Sequence, residues 1–189
     1  MLSERFNEAL VYAARLHAKQ TRKASGIPYI THLLGVASIA LEYGANEEQA
    51  IAALLHDAIE DQGGPPTREE IRRRFGREVA AIVEGCTDTD KTPKPPWRER
   101  KEAYIARISA AEPSVLLVCA ADKLHNVRSI LKDYRQLGEI VWQRFKGGKD
   151  GTLWYYRSLL EAFHAKGYNP LIEELERAVS ELEELVRAT

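Results

Sequence analysis

The sequence has little net charge, little cysteine and no long apolar run. A formal net charge of −1 over 189 residues argues against broad electrostatic binding to duplex nucleic acid, so an anionic ligand must be held locally. The two cysteines, Cys86 and Cys119, lie far apart and form no CxxC pattern, which indicates neither a zinc knuckle nor a disulfide framework. We expect both to be reduced thiols, with Cys119 acting as a small buried hydrophobe.

No apolar stretch approaches the length of a membrane span, and the segment MLSERFNEAL lacks the continuous apolar core of a signal peptide. We therefore expect no membrane partner and a cytoplasmic location. Hydrophobic residues make up 44% of the chain and charged residues 29%, which is ordinary for a globular protein. A chain of this length can bury a core without disulfides, so the sequence predicts a single domain over residues 1–189.

Helix start and stop signals recur along the chain, whereas the alternating pattern of strands is nearly absent. Ser3 predicts an N-cap for the first helix, and Asn46 with Gln49 predicts a capping box for the third. The aromatic helix around Trp154 is expected to contribute to the core. The predicted fold class is all-α. Further helix starts or breaks are predicted at Thr31, Gly44, Thr67 (with Glu70), Gly76, Pro113 and Asn169.

Four polar side chains crowd into the apolar segment LLHDAIED, residues 54–61. On one continuous helix His56 and Glu60 are four residues apart, as are Asp57 and Asp61, so the four side chains project toward one side. Carboxylates and an imidazole among apolar neighbours are costly unless something compensates them, and a bound cation is the simplest compensation.

Two further polar positions fit the same logic. His32 begins a helix after GIPYIT, and Asp122 follows the apolar run VLLVCAA, with Asn126 one helical turn beyond. Two histidines and two aspartates form a mixed N/O ligand set that suits manganese, iron or zinc better than calcium. Such a site generates hydroxide near neutral pH and neutralises charge on a phosphoryl group. The remaining histidines are expected to be hydrogen-bonded structural residues: His17, His125 and His164.

Three blocks, RKASGIPYITHLLGVA, ALLHDAIED and AADKLHNVRS, resemble in the same order the motifs of the HD-domain hydrolases of the RelA/SpoT type. Those enzymes remove pyrophosphate from the 3′ position of ppGpp and pppGpp. The resemblance covers about residues 5–135 and implies a single HD-domain helical bundle, on which C-terminal helices at 137–187 pack. The sequence is too short to include the synthetase and regulatory domains of the long members as well, so the chain resembles a stand-alone small alarmone hydrolase.

The resemblance implies a role for each matching residue. Glu60 and Asp61 match the pair of carboxylates that orients or deprotonates the attacking water. A single manganese ion is implied to be bound by His32, His56, Asp57 and Asp122.

Five further positions are implied to contact the nucleotide. They are Arg22 and Lys23 beside the purine, where a guanidinium can stack on the ring, Asn126 and Ser129 near the sugar, and Lys91 near the phosphates. Two positions depart from the family pattern, because Ala24 is an extra residue beside the basic pair and Leu33 stands where the family has a proline.

The leading hypothesis is hydrolysis of the 3′-pyrophosphate of ppGpp or pppGpp, a small-molecule partner, to give GDP or GTP and pyrophosphate. One alternative is an HD phosphohydrolase acting on NADPH, an adenine analogue of the alarmone or a nucleoside monophosphate. Another is a non-catalytic alarmone- or metal-binding regulator, against which the proton-handling pair argues. A homo-oligomer also stays open, since the last amphipathic helix could pack on the body or on another subunit.

Overall fold

The computed structural model describes residues 1–23, 25–89, 93–167 and 169–188. Within these ranges every regular element longer than a single bridge is a helix. An isolated bridge joins Thr21 and Pro28. The all-α prediction is confirmed. The helices are α1 Glu4–Leu16, α2 Ile30–Glu42, α3 Glu47–Leu55, α4 Ala58–Asp61, α5 Pro65–Cys86, α6 Trp97–Ala110, α7 Pro113–Leu137, a 3-10 helix Gly138–Arg144, α8 Gly148–His164 and α9 Pro170–Arg187.

The chain divides into two compact units. The first contains Met1–Lys94 and Glu112–Asp122, and the second contains Pro95–Ala111 and Lys123–Thr189. Helix α7 contributes its first part to one unit and its remainder to the other. The single domain over residues 1–189 stays a prediction.

Helix α3 forms the centre of the first unit. Every side chain from Ala50 to Leu55 is fully buried, so α3 is apolar on all sides, as expected of a helix inside a core. It packs against α1, α2 and α5. The residues that follow its C-terminal end, beginning with His56, are therefore held in a fixed position by the core.

The N-terminal end of α3 carries the predicted capping box. The side chain of Asn46 accepts from the N–H of Gln49 at 2.9 Å, and the Gln49 side chain accepts from the N–H of Asn46 at 2.8 Å. The Gln49 amide also donates to Ser114 Oγ at 3.0 Å, which links α3 to the start of α7. The predicted N-cap of α1 is confirmed as well, since Ser3 accepts from the N–H of Arg5.

His56 and Asp57 lie at a junction between two helices, so the prediction of one continuous helix through LLHDAIED is wrong. Helix α3 ends at Leu55, and the four-residue α4 begins at Ala58. The physical reason is the backbone of Asp57, whose ψ of −1° lies in the bridge region and interrupts regular helical hydrogen bonding.

Helix α5 begins at Pro65, two residues before the predicted start at Thr67. Proline is favoured in the first turn because a helix leaves the N–H groups there without a partner in any case. Thr67 instead lies within the helix and donates its hydroxyl to the carbonyl of Gln62 at 2.8 Å. The break predicted at Gly76 is confirmed, because this residue has a φ of 92° inside α5.

The second unit has an aromatic core. Tyr155 and Tyr156 of α8 are buried, in agreement with the prediction that this helix contributes to the core. Trp154 is half-buried, and the guanidinium of Arg98 lies 3.2 Å from its ring centroid.

Helix α9 begins as predicted at Asn169 and Pro170, and the Asn169 side chain accepts from the N–H of Leu171 at 2.8 Å. Its apolar face packs against α8 within the second unit. Among the described residues, no helix combines the length and apolar character needed to cross a bilayer.

We expect Asn46→Ala to lower the free energy of unfolding by about 1 kcal/mol, because the substitution removes the N-cap of the buried helix α3. Urea denaturation followed by circular dichroism measures this change. Asn7→Ala is the matched control, since Asn7 is equally exposed but lies inside α1, where alanine is the better helix former. Equal destabilisation by both substitutions would contradict the assignment.

Candidate metal centre

Four side chains from three separate segments converge in the first unit: His32 of α2, His56 and Asp57 of the α3–α4 junction, and Asp122 of α7. His32 Nε2 lies 3.2 Å from Asp122 Oδ1, and His56 Nε2 lies 3.1 Å from Asp57 Oδ2. The two crossed distances, His32 Nε2 to Asp57 Oδ2 and His56 Nε2 to Asp122 Oδ1, are 3.5 and 3.6 Å. The sequence predicts this grouping, and the structure brings all four residues together.

The spacing of these atoms fits the coordination shell of a divalent metal ion. An ion with bonds of about 2.1 Å has neighbouring ligand atoms about 3.0 Å apart in an octahedral shell and about 3.4 Å apart in a tetrahedral one. His32, His56 and Asp57 form a cluster able to hold such an ion, and Asp122 lies within the same distances of both imidazoles. The two histidines are almost completely buried, with 1% and 2% exposure.

The ring of His56 has the orientation that a metal ligand needs. Its Nδ1–H donates to the carbonyl of Ala53 at 2.8 Å, so Nε2 faces the carboxylates. In the described part of the chain, this buried Nε2 has no hydrogen-bond partner of good geometry, although Asp57 Oδ2 lies only 3.1 Å away. A buried ring nitrogen that faces two carboxylates is well placed to share a cation with them.

The electrostatics of the cluster also favour a cation. Burial disfavours the charged imidazole of His56, but the adjacent carboxylate of Asp57, assisted by Asp122, outweighs burial and raises the pKa of His56 well above its usual value. Burial likewise opposes ionisation of Asp57, yet His56 and His32 hold the pKa of this carboxyl well below its usual range. A site that stabilises a proton in this way also stabilises a metal ion, which competes with that proton.

Tyr29 contacts the cluster but was not among the predicted site residues. Its hydroxyl donates to Asp57 Oδ2 at 2.6 Å, and its ring packs edge-on against His32 with centroids 5.5 Å apart. Burial, together with the Asp57 charge, raises the pKa of Tyr29 far above its usual value, so the phenol stays protonated and donates. Tyr29 therefore fixes the direction of one carboxylate of the cluster. The only sequence signal was its position three residues before His32.

Glu60 and Asp61, which the sequence predicts as a functional pair, bind different partners. Glu60 Oε1 pairs with Lys94 Nζ at 2.7 Å, and its Oε2 accepts from the N–H of Asp88 at 3.2 Å. Asp61 Oδ2 accepts from the side-chain amide of Gln20 at 2.8 Å. Lys94 and Gln20 are therefore two more site residues that were not assigned from the sequence.

Gln20 links Asp61 to a buried histidine. His17 is 2% exposed and its ring stacks on Tyr29 with centroids 5.4 Å apart, while its Nδ1 lies 2.7 Å from Gln20 Oε1. Burial lowers the pKa of His17, so the ring is neutral near pH 7 and Nδ1–H can donate to Gln20. His17 is thus hydrogen-bonded, as the sequence predicts, but its bond leads to the functional segment.

The residues predicted to contact the nucleotide are divided between the two units, with Arg22 and Lys23 in the first and Asn126 and Ser129 in the second. Arg22 has its guanidinium 6.0 Å from the Tyr29 ring centroid, whereas Lys23 is exposed. Asn126 and Ser129 follow Asp122 along α7 and belong to the second unit, where Ser129 donates its hydroxyl to the carbonyl of His125 at 3.0 Å. The predicted phosphate contact Lys91 and the extra residue Ala24 lie outside the described residues.

Comparison with known proteins places these motifs in a family context. The family model described as HD domain matches residues 9–153. Guanosine-3′,5′-bis(diphosphate) 3′-pyrophosphohydrolase of Aquifex aeolicus is 38% identical over 128 residues, which are 68% of this chain and 18% of that protein. Bifunctional (p)ppGpp synthase/hydrolase SpoT of Escherichia coli K12 is 38% identical over 133 residues, covering 67% of this chain and 18% of its own length. The chain thus spans less than a fifth of these curated relatives.

Two solved structures match over nearly their whole length. A metazoan ortholog of SpoT, described as hydrolysing ppGpp and acting in starvation responses, superposes with a TM-score of 0.79 at 26% identity, covering 96% of this chain and 97% of the other. The lmo0812 protein of Listeria monocytogenes EGD-e gives a TM-score of 0.71 at 31% identity, covering 81% and 99%. With the family match over most of the chain and the clustered histidines and aspartates, this protein belongs to the HD domain family.

Proposed function

We propose that this protein hydrolyses the 3′-pyrophosphate of ppGpp and pppGpp, giving GDP or GTP and pyrophosphate, with manganese as its metal. The observation that carries the proposal is the cluster of two buried histidines, buried Asp122 and half-buried Asp57, whose nitrogen and oxygen atoms lie 3.1–3.6 Å apart. The Aquifex relative is named for hydrolysis of the 3′-pyrophosphate of ppGpp and the metazoan ortholog is described as hydrolysing ppGpp, which supports the same substrate here.

The metal would be held by His32, His56, Asp57 and Asp122. This mixed N/O set suits manganese, and the chemistry that a divalent ion supplies is polarisation of a phosphoryl oxygen and acidification of a water. Tyr29 keeps the Asp57 carboxylate turned toward the imidazoles through its 2.6 Å hydrogen bond. The chain's own contribution is therefore a fixed set of four ligands, three of which are buried.

Glu60 is the carboxylate best suited to accept a proton from the attacking water. It lies four residues beyond His56 in the short helix α4, and its side chain is 18% exposed, so both solvent and substrate can reach it. Lys94 forms an ion pair with Glu60 and adds a positive charge beside the place where phosphates would bind. Asp61, fixed by Gln20, provides the second carboxylate.

The nucleotide contacts remain proposals based on the motifs. They are Arg22 and Lys23 at the purine, Asn126 and Ser129 at the sugar, and Lys91 at the phosphates. Arg22 has structural support for a stacking role, because its guanidinium already lies near the face of an aromatic ring.

The substrate is tested with a panel of ppGpp, its adenine counterpart and NADPH, each incubated with the purified protein and manganese. We expect release of pyrophosphate from ppGpp with little turnover of the other two, and no turnover after treatment with EDTA. The products are measured by ion-exchange chromatography. Faster hydrolysis of NADPH or of the adenine compound would replace the proposed substrate, and ppGpp binding without turnover would indicate a regulator.

We expect Asp57→Ala to abolish hydrolysis and to weaken manganese binding by more than the roughly 10–100-fold that loss of an outer hydrogen bond costs. Tyr29→Phe is the matched variant, since it removes only the hydroxyl that donates to Asp57, and its effect should fall within that smaller range. Calorimetric titration with manganese alone measures both. Full metal affinity in Asp57→Ala would overturn the ligand assignment.

We expect Glu60→Gln to keep its metal but to lose about 10²–10⁴-fold in turnover, because the amide has the shape of the carboxylate but cannot accept the proton. Steady-state kinetics with ppGpp, together with metal analysis, measures this effect. Glu69→Gln is the matched control, since it makes the same substitution at an exposed carboxylate of α5 that lies 3.9 Å from Arg68 and from Arg72. An unchanged rate in Glu60→Gln would remove Glu60 from the mechanism.

A further inference from the structure

The two cysteines, which the sequence separates by 33 positions, meet in the first unit. Cys86 is the last residue of α5, Cys119 lies in α7, and their Sγ atoms are 3.3 Å apart at hydrogen-bond distance. Both carry thiols. A disulfide bond of about 2.05 Å would require the sulfur atoms to approach by only about 1.3 Å. The absence of a CxxC pattern therefore did not exclude a cysteine pair.

A glycine makes this close contact between the two helices possible. A Cβ atom added at Gly85 would lie 2.7 and 2.9 Å from the two methyl carbons of Val115, which is closer than real contacts allow. Val115 and Cys119 lie one helical turn apart on α7, just as Gly85 and Cys86 are adjacent on α5. The missing side chain at Gly85 thus lets the end of α5 approach α7 and brings the two thiols together.

The thiol pair lies next to functional groups along both segments. Cys119 precedes Asp122 by three residues on α7. Cys86 precedes Asp88 by two residues, and the N–H of Asp88 donates to Glu60 at 3.2 Å. A change at the cysteines can therefore reach the proton-accepting carboxylate through two residues of backbone.

We propose that Cys86 and Cys119 form a redox modification site, in which a hydroperoxide converts the two thiols into an intramolecular disulfide that slows hydrolysis. The effect on hydrolysis rests on the proposed function, whereas formation of the disulfide does not. Cys86 is half-buried and meets the oxidant, while Cys119 is fully buried and resolves the intermediate.

The chemistry balances in two steps. The Cys86 thiolate attacks the peroxide, so an S–O bond forms, the O–O bond breaks and hydroxide or alkoxide leaves. The Cys119 thiolate then attacks the Cys86 sulfur, so the S–S bond forms, the S–O bond breaks and hydroxide leaves. The two thiol protons neutralise the leaving groups, and two electrons pass from sulfur to the peroxide oxygens. With hydrogen peroxide the products are one disulfide and two waters.

Packing determines which side moves when the bond forms. Cys119 is surrounded on α7 by Val118 and Ala120, which are buried at 0% and 1% exposure, so this part of α7 resists displacement. Cys86 ends its helix, and residues 87–89 form no regular structure, so the shift falls on the segment that carries Asp88. The disulfide therefore disturbs Glu60 more than the metal ligands.

The proposal is tested on the purified, metal-free protein, treated with a stoichiometric amount of hydrogen peroxide and then alkylated. We expect intact mass and peptide mapping to show one disulfide between Cys86 and Cys119 in the monomer. After manganese is added, turnover of ppGpp should fall by about 10–100-fold, since a misplacement of about 1 Å at a catalytic group has effects of this size. Manganese affinity should stay unchanged, and dithiothreitol should restore the rate.

Matched variants separate the site from other oxidation damage. Cys86→Ser and Cys119→Ala should turn over ppGpp as fast as the unoxidised wild-type protein, and peroxide should not slow them. Gly85→Ala should slow formation of the disulfide although both thiols remain, and adding Val115→Ala should restore it by making room for the new methyl group. Recovery in the double variant would show that Gly85→Ala slows the reaction through the contact with Val115 and not through a general folding defect.

Three outcomes would overturn the proposal in whole or in part. Absence of the disulfide overturns the modification site, and equal inhibition of Cys86→Ser by peroxide overturns its role in inhibition. A disulfide that leaves turnover unchanged overturns control of hydrolysis. If instead the reduced protein turns over no nucleotide of the panel, the proposed function fails, while the mass measurement still decides whether the thiol pair is oxidised.

Discussion

Helix α3 has no solvent-facing side between Ala50 and Leu55, and the arrangement of the metal centre depends on this burial. A helix that is apolar on every side must be enclosed by neighbours, which here are α1, α2 and α5. The chain leaves this enclosed helix directly into His56 and Asp57. Two residues of the cluster are therefore positioned by the core itself, because moving them would require repacking side chains that have no free space around them.

The same burial makes the negative charge of the two carboxylates costly, and a bound cation lowers that cost. Two imidazoles and two carboxylates lie 3.1–3.6 Å apart, three of these four side chains are buried, and an unpaired charge in such surroundings is strongly disfavoured. Without a metal the cluster stabilises protons, as the raised pKa of His56 and the lowered pKa of Asp57 indicate. Fold stability and metal binding are therefore coupled through the same atoms.

Much of the local structure could be predicted because it depends on nearby residues. The capping box of Asn46 and the break at Gly76 follow from side-chain chemistry and φ preferences within a few positions. The clustering of two histidines with two aspartates could be predicted because charged residues in apolar helices are rare and costly. The junction at Asp57 could not be predicted, since its backbone angles are imposed by tertiary packing. The proximity of Cys86 and Cys119 could not be predicted either, because it depends on the contact of two helices distant in sequence.

The amide of Gln20 has one further consequence, which concerns the direction of its hydrogen bonds. Its oxygen accepts from the His17 ring and from the Gln62 amide, so its NH₂ group is the part that faces Asp61. Asp61 therefore accepts a hydrogen bond from Gln20, and His17 must keep its proton on Nδ1. A single side-chain amide thus sets the tautomer of a buried ring on one side and fixes the direction of a carboxylate on the other.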